Sequence, residues 1–559
     1  MRNGDLTYLE LPGLDGGLFF VPLGGCGEIG MNLNLYGCDG RWLMVDCGVT
    51  FGDQSMPGVD VIMADPDFIV GHKDRLEGLI ITHAHEDHLG AVGYLLPQLG
   101  CPIFTTPYTA EFLRQKLKET KLQNTAQITE VPLSGHVDLG PFSVDFISLT
   151  HSIPEPNALA IRTPYGTLLH TGDWKFDPDP LIGETANFEK LTALGNEGVL
   201  ALVGDSTNVF SEGEAGSESE VRQSLRQLFS SCDGRIAVTC FASNLARLES
   251  IALAAEANGR QVFLVGPSLW RIIETARKTG YLSDKLSFHQ PGKASTLERN
   301  RVLYICTGSQ GEGRAALSRI ALGQHRDVAL EEGDVVVFSS RVIPGNEKAI
   351  LKVQNLLARQ GIDIVTNRDH FVHVSGHPAR DEMQRMYQLV RPKIAIPVHG
   401  EHLHMRAHVE LANACQVSKT VLVENGDVVR LAPDDSGVIG EVWAGRVAWD
   451  GGRVIPFWDS ALKDRKRIFY NGSVVVSLVI DSGFQLASAP TVSILGLPDP
   501  TDGGEVNMEE RVQRAFELLP RRTRAEDGSV EGAVRQCIRR LFIREQDRKP
   551  LTHVHIARI

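Results

Sequence analysis

The stretch Gly78–Gly93, GLIITHAHEDHLGAVG, restricts what this chain can fold into more than any other. Leu76 and Leu79 to Ile81 read as a buried strand, and an apolar helical pattern follows His88. Between the two, His83, His85, Glu86, Asp87 and His88 place three imidazoles and two carboxylates within six residues. Crowding of that kind is costly unless something positive holds it. Neutral imidazole and carboxylate together are the donor set of zinc-type divalent ions. On an extended segment His83 and His85 point the same way. Asp87 and His88, at the start of the helix, can turn toward a second metal position. Single histidines in polar turns are common; the density is what carries the reading. Glu86 is expected at the surface or behind the ligands.

The chain then repeats one device. PFSVDFISLTHSIPEP is a β-run delivering His151, YGTLLHTGDWKFD one delivering Asp173, and GVLALVGDSTNVF one delivering Asp205. Upstream, the strand RWLMVDCG ends in Asp46, the third of three hairpin-like runs between residues 18 and 46. Polar side chains handed over at successive strand ends build a shared site along one sheet edge. From about Ser217 the rhythm becomes alternating strand and helix, which implies a mostly parallel, doubly wound sheet. Two turns inside it, Phe241-Ala242-Ser243-Asn244 and Thr307 to Gly313, lie between strand and helix. Backbone amides in such turns can take an anion, although glycines also simply close a tight turn. Ligand-type residues return as FVHVSGH, with His373 and His377, and as KIAIPVHGE, a buried strand delivering His399. If His399 belongs with His83 to His88, the block from about 209 to 365 is an insertion. His402, His404 and His408 read as the surface of a following helix.

The chain has 559 residues, 42% hydrophobic and 22% charged, enough for about three folded units. No apolar run is long enough to span a bilayer, and the start, MRNGDLTYLELPG, lacks the charged-then-apolar pattern of a signal peptide. The nine cysteines are scattered without a CxxC pair, several inside apolar runs, the pattern of reduced, buried thiols in a cytoplasmic protein. A net charge of −13 opposes indiscriminate attraction to nucleic acid but leaves room for a locally positive groove. In the tail, Asp464-Arg465-Lys466-Arg467 precedes the strand SVVVSLVI; TVSILG, two helices and a last strand, LTHVHIARI, follow. Arg535, Arg539, Arg540 and Arg544 recur on one side of the second helix, and His553 and His555 alternate on an edge-like strand.

The combination of Asp46, HAHEDH, His151 and Asp173 resembles the metallo-β-lactamase fold, and the insertion with Asp205, His377 and His399 around it is similar to the β-CASP subgroup of nucleic-acid-processing nucleases. PLGGCGEIGMN, THAHEDHLGA, THSIP, TGDWKFD, DSTN, FASN, TGSQGE, IPGNEKA, HVSGH and PVHGE are closer still to ribonuclease J. The resemblance runs over essentially the whole length. It implies an α/β architecture: a metallo-β-lactamase αββα sandwich from residues 1–208 and 366–440, an inserted doubly wound β-CASP domain at 209–365, a linker at 441–468 and a small C-terminal α+β domain at 469–559. It implies two Zn²⁺ per subunit, with Mn²⁺ or Mg²⁺ able to support activity. His83, His85 and His151 would hold one ion and Asp87, His88 and His399 the other, with Asp173 bridging. Asp46 would support the site from behind the ligands. Asp205 and His377 would sit over the scissile phosphate. Ser243, Asn244, Ser268, Gly308, Ser309, His373, Ser375 and Gly376 would line an RNA groove and a pocket for a 5′-monophosphate. Pro267 stands where family members often carry arginine, and Pro156-Asn157-Ala158 also departs from the usual residues.

The activity implied is cleavage of single-stranded RNA, internally and 5′→3′ from the end, in RNA maturation and decay, by a homodimer or homotetramer. Two divalent ions would activate water and bind a phosphate oxygen. A water-derived nucleophile predicts 5′-phosphate products without help from the 2′-OH. A hydrolase of small esters or thioesters is the alternative, and the long insertion and His399 argue against it. A non-catalytic RNA-binding subunit would be expected to lack ligands, and none is missing. DNA-directed relatives typically have valine at the position of His399, so the histidine favours RNA.

Overall fold

The apolar runs LFFVPLG, LNLYGC and RWLMV form the strands Leu18–Gly24, Leu33–Cys38 and Arg41–Val45, paired antiparallel as expected. In the computed structural model, which describes residues 14–52, 56–500 and 507–559, they are the middle of an eight-stranded sheet. The strand Leu76–Ile80 joins it parallel to Arg41–Val45. A second sheet of seven strands contains Phe142–Ser148, Asn157–Thr163, Gly166–His170, Ala201–Asp205 and Ile394–Val398. The two sheets share one core, in which Phe20, Tyr36, Val45 and Ile80 pack with Phe146, Ile161, Val203 and Ile396. The outer face of the second sheet is covered by the helices Phe188–Glu197, Arg380–Val390 and His402–Ala414, through Leu191, Met383, Tyr387 and Leu411.

Ala201–Asp205 pairs in parallel with Ile394–Val398, Asp205 opposite Val398. The chain therefore leaves this sheet at one strand and returns to it at the next, with the inserted domain between. Its six strands are all parallel, with Gln261–Val265, Val302–Cys306, Ile236–Thr239 and Val335–Phe338 as consecutive neighbours. Because neighbours are parallel, the turns after them, at 241–244, 266–268, 307–313 and 339–345, emerge along one edge.

Contact between residues divides the chain into Met1–Thr50 with Met63–Gly445 and Phe51–Ile62 with Arg446–Ile559. In the second unit, Ser473–Ile480 lies between antiparallel Thr491–Leu495 and parallel Leu551–Arg558. The helices Met508–Glu517 and Asp527–Gln546 cover the sheet through Val512, Phe516, Val534, Ile538 and Phe542. His553 and His555 are exposed on the edge strand, as expected.

Two expectations are corrected. Residues 441–468 are not a linker. Arg446–Asp450 and Arg453–Pro456 form a hairpin closed by Gly451-Gly452, both at positive φ, the turn chemistry such hairpins need. The charged run 464–467 lies on the helix Ser460–Asn471, whose N-terminus is capped by Asp459 and where both terminal guanidinium nitrogens of Arg465 reach Asp450 at 2.9 Å. His408 is not on a helix surface. It shares a helical face with Met405, Leu411 and Ala412, is buried, and lies 2.9 Å from both Ser206 Oγ and Tyr387 OH. All nine cysteines are free and six are buried. Among the described residues no helix is long and apolar enough to cross a membrane. The expectation about a signal peptide rests on residues 1–13, outside the described ones.

Candidate metal centre

Every residue implied as a metal ligand comes to one place. Ligand atoms of His83, His85, His151 and Asp173 lie within 4.8 Å of one another; so do those of Asp87, His88, Asp173 and His399, and those of Asp173, Asp205, His377 and His399. Asp173 belongs to all three groups. Its Oδ2 is 3.2 Å from His88 Nε2 and 3.8 Å from both His83 Nε2 and His151 Nε2, while Oδ1 is 3.8 Å from His399 Nε2.

The supporting contacts decide which ring nitrogen each histidine presents. His88 Nδ1 lies 2.7 Å from Asp46 Oδ2, His151 Nδ1 2.5 Å from the Gly376 carbonyl, His399 Nδ1 2.6 Å from Thr207 Oγ1, and His83 Nδ1 3.0 Å from Thr82 Oγ1. With Nδ1 engaged, Nε2 faces the cluster in all four, the arrangement that orients imidazoles for metal. His85 faces it through Nδ1, 3.1 Å from both His83 Nε2 and His151 Nε2. Asp46 also accepts from the Thr82 backbone N–H at 2.8 Å, so one buried carboxylate aligns the loop on both sides of His83. Asp46 and His399 hold positive φ, +63° and +51°, a conformation that costs about 1–3 kcal/mol and persists only where the surroundings enforce it.

The electrostatics divide the cluster in two. Burial, reinforced by neighbouring imidazoles, holds His83 and His151 well below the ordinary imidazole range; burial brings His85 down to about 4. These rings are neutral donors. On the other side burial would raise the carboxyls of Asp87, Asp173 and Asp205, yet the adjacent His88, His399 and His377 rings hold all three below the carboxylate range. Asp173 Oδ1 is buried without a hydrogen-bond partner. Neutral nitrogens facing ionised carboxylates, with an unsatisfied oxygen at the shared position, fit divalent cations.

Beside the cluster, His377 Nδ1 lies 2.7 Å from Asp205 Oδ2, which leaves its Nε2 on the open side. Burial opposes charge on His377, and Asp205 and Asp173 outweigh it, so its pKa lies above the usual imidazole value. Glu86, left open by the sequence, pairs with Lys116 away from the ligands.

The turns along the inserted sheet have mixed commitments. Ser268 lies in the first turn of the helix Pro267–Lys278. Gly308, at φ +116°, packs against Ala315 and Leu317, and Ser309 is buried beside it. The Asn244 side chain is already used: it accepts from Arg247 N as a helix cap and donates to Glu218. Ser243 precedes it in the same turn. Ser375 Oγ accepts from His377 N at 3.0 Å, shaping the HVSGH turn. A Cβ on Gly376 would stand 2.8 Å from the His151 ring, so this glycine lets the turn seat against a ligand.

Sequence reasoning missed four supporting residues: Thr82, Thr207, Asn32 and Arg247. The threonines sit next to or near ligands in THAHEDH and DSTN, which was the available signal. The amide of Asn32 lies 3.2 Å from His88 Nε2 and its backbone N–H donates to the Asp87 carbonyl. Arg247, wholly buried, joins Glu218 to Ser339, the Val372 carbonyl and His373.

Four family models match along the chain: the metallo-beta-lactamase superfamily at residues 34–228, the ribonuclease J beta-CASP domain at 233–357, the Zn-dependent metallo-hydrolase RNA specificity domain at 361–423 and the ribonuclease J C-terminal domain at 460–559. Ribonuclease J of Sinorhizobium meliloti is 43% identical over 97% of both chains. The chain belongs to the ribonuclease J family. Ribonuclease J 1 of Streptococcus pyogenes is 35% identical over 98% of both chains, and ribonuclease J of Thermus thermophilus 35% over 82% of this chain and 81% of its own. A crystal structure of an Enterococcus faecalis protein of unknown function shares the fold, with a TM-score of 0.51 at 16% identity over 74% of this chain and 99% of that one. Membership in the ribonuclease J family assigns the chain to the metal-dependent ribonucleases, and the His/Asp cluster supplies residues suited to the metal.

Proposed function

We propose that this chain is a zinc-dependent ribonuclease that cuts single-stranded RNA internally and 5′→3′ from a monophosphorylated end, leaving 5′-phosphate products. The observation that carries the reading is the position of Asp173, common to all three ligand groups, the third of which contains the His377–Asp205 pair. His83, His85 and His151 would hold one zinc, and Asp87, His88 and His399 a second, with Asp173 between them. When bound, such ions supply Lewis acidity toward a phosphate oxygen and bring the pKa of water near neutrality.

The chain's own residues do the rest. Asp46, Thr82 and Thr207 keep Nδ1 of His88, His83 and His399 occupied, so that Nε2 serves as the donor. Asp205 holds the His377 ring by Nδ1, so Nε2 is free to give a proton to the departing 3′ oxygen. Asp205 and Asp173 raise the proton affinity of the His377 ring, the direction this role requires. Ser243, Asn244, Ser268, Gly308, Ser309, His373, Ser375 and Gly376 belong to turns that offer backbone amides and small polar groups to a phosphate-bearing strand. A terminal monophosphate held there would set the register of exonucleolytic cutting. That the inserted domain exists at all supports a long substrate over a small ester, since small-ester hydrolysis needs no such edge of turns.

RNA carrying a 2′-O-methyl group at the cut site should still be cleaved, with 5′-phosphate ends. Complete resistance, or cyclic-phosphate ends, would exclude this chemistry. His377→Ala should lower kcat by about 10²–10⁴-fold, the usual weight of a positioned proton donor, with metal content unchanged by mass spectrometry. Loss of metal in that variant would remove His377 from the proton-transfer role.

A further inference from the structure

Most side chains bordering the cluster are committed to one another; Phe210 is not. It stands two residues after Asn208, beyond the buried Val209, and is 56% exposed. Its ring centroid lies 5.1 Å from that of His404, the planes tilted by 55°. His404 backs onto the metal centre, because its Cβ would be 2.9 Å from a Cβ added at Gly400, the residue after His399. The buried Nδ1 of His404 has no hydrogen-bond partner, so no such bond through this nitrogen explains where the ring sits.

Asn208 ties this aromatic pair to the site. Its Nδ2 donates to the His377 carbonyl at 3.3 Å, and its Oδ1 accepts from the Arg341 guanidinium and from Ser211 Oγ. Arg341 is itself exposed, at the open edge of the inserted sheet. An open aromatic face with a guanidinium close by is the composition that holds single-stranded nucleic acid: the base stacks on the ring, and the cation meets the phosphate or the π-face. Nothing in the core requires a phenylalanine at 210.

We propose that Phe210 and His404 form a stacking platform for one nucleobase of the substrate, placed beside His377 and clamped from the Arg341 side. The proposal rests on the reading of the substrate as single-stranded RNA. A protein segment could also cover an exposed phenylalanine, but the adjoining guanidinium and the tether to His377 favour a base whose phosphate is being cut. Stacking of this kind is sequence-tolerant because every base has a π-face, so the platform would set position along the strand and not base identity.

The test uses the full chain with its metals and a set of short 5′-monophosphate RNAs, each with one abasic nucleotide at successive positions around the cut. The wild type should lose about tenfold, read in KM, at one position of the set. Phe210→Ala should show the same loss on intact RNA with kcat retained, and no further loss when the base at that position is absent. Phe210→Trp should restore the wild-type KM. A flat abasic scan, a Phe210→Ala enzyme with unchanged KM, or losses that simply add would each overturn the platform. Fluorescence anisotropy on the same RNAs separates the two readings. Binding that depends on Phe210 and on one base, without any cleavage by the wild type, would keep the platform and remove the nuclease. Cleavage with binding indifferent to every base would do the reverse.

Discussion

Asp173→Ala should abolish RNA cleavage while the fold survives. Among the described residues no other side chain contributes to all three ligand groups, and its carboxylate stands 3.2 to 3.8 Å from Nε2 of four histidines. Removing it takes away the charge that makes the carboxylate half of the site attractive to cations, together with the buried oxygen that has no partner in the protein. Metal-assisted stabilisation is worth several kcal/mol, so the loss should be about 10³-fold or more in kcat. Asp173→Asn is the sharper version: the shape is kept, but an amide N–H₂ now faces imidazole nitrogens and the charge is gone. Mass spectrometry of the native protein should show both variants depleted of metal, with circular dichroism unchanged. Full metal content and wild-type rates in either would overturn the shared position given to Asp173.

The second large effect is on stability. Arg247→Ala takes the guanidinium away from the buried Glu218 carboxylate, leaving the Asn244 amide bonded to it, and strips donors from Ser339 and the Val372 carbonyl. Breaking a buried pair in this way costs about 3–5 kcal/mol. Urea unfolding should show that loss, and KM for RNA should rise as the segment carrying His373 loosens. The double variant Arg247→Met with Glu218→Gln should recover part of the stability, because the uncompensated charge is removed with its partner. A single variant within about 0.5 kcal/mol of wild type, the range of an ordinary surface change, would show that the pair is not what holds this junction.

The legible parts of the site were those where chemistry is concentrated locally. Six residues, His83 to His88, announced a metal site by donor density, and single polar residues at successive strand ends announced a shared edge. The alternation after Ser217 announced a parallel sheet. The missed elements had weaker local signals or signals read at the wrong period. WDGGRV carried a hairpin turn in plain view, but the neighbouring charge run drew the reading toward a linker; in three dimensions those charges lie on the helix Ser460–Asn471, where Arg465 pairs with Asp450. His408 lay in a run with His402 and His404 that reads as helix surface, and only its helical phase with Met405 and Leu411 puts it inside. Arg247 carried no signal at all, because an arginine on a helix is ordinarily solvated.

By itself, the sequence determined that His83 to His88 form a metal-binding stretch and that further His and Asp donors stand at strand ends, because donor chemistry and strand periodicity are local properties; the block from about 209 to 365 was an insertion only if His399 joined that stretch. Only the tertiary structure decided how those donors divide: that Asp173 stands where the groups meet, that Nδ1 of His88, His151 and His399 is engaged by partners 42 to 225 residues away, and that the exposed Phe210 ring meets His404. Those facts depend on packing between segments distant in sequence, where a hydrogen bond to the Gly376 carbonyl or with the Thr207 hydroxyl selects one ring nitrogen over the other. No periodicity along the chain encodes that choice.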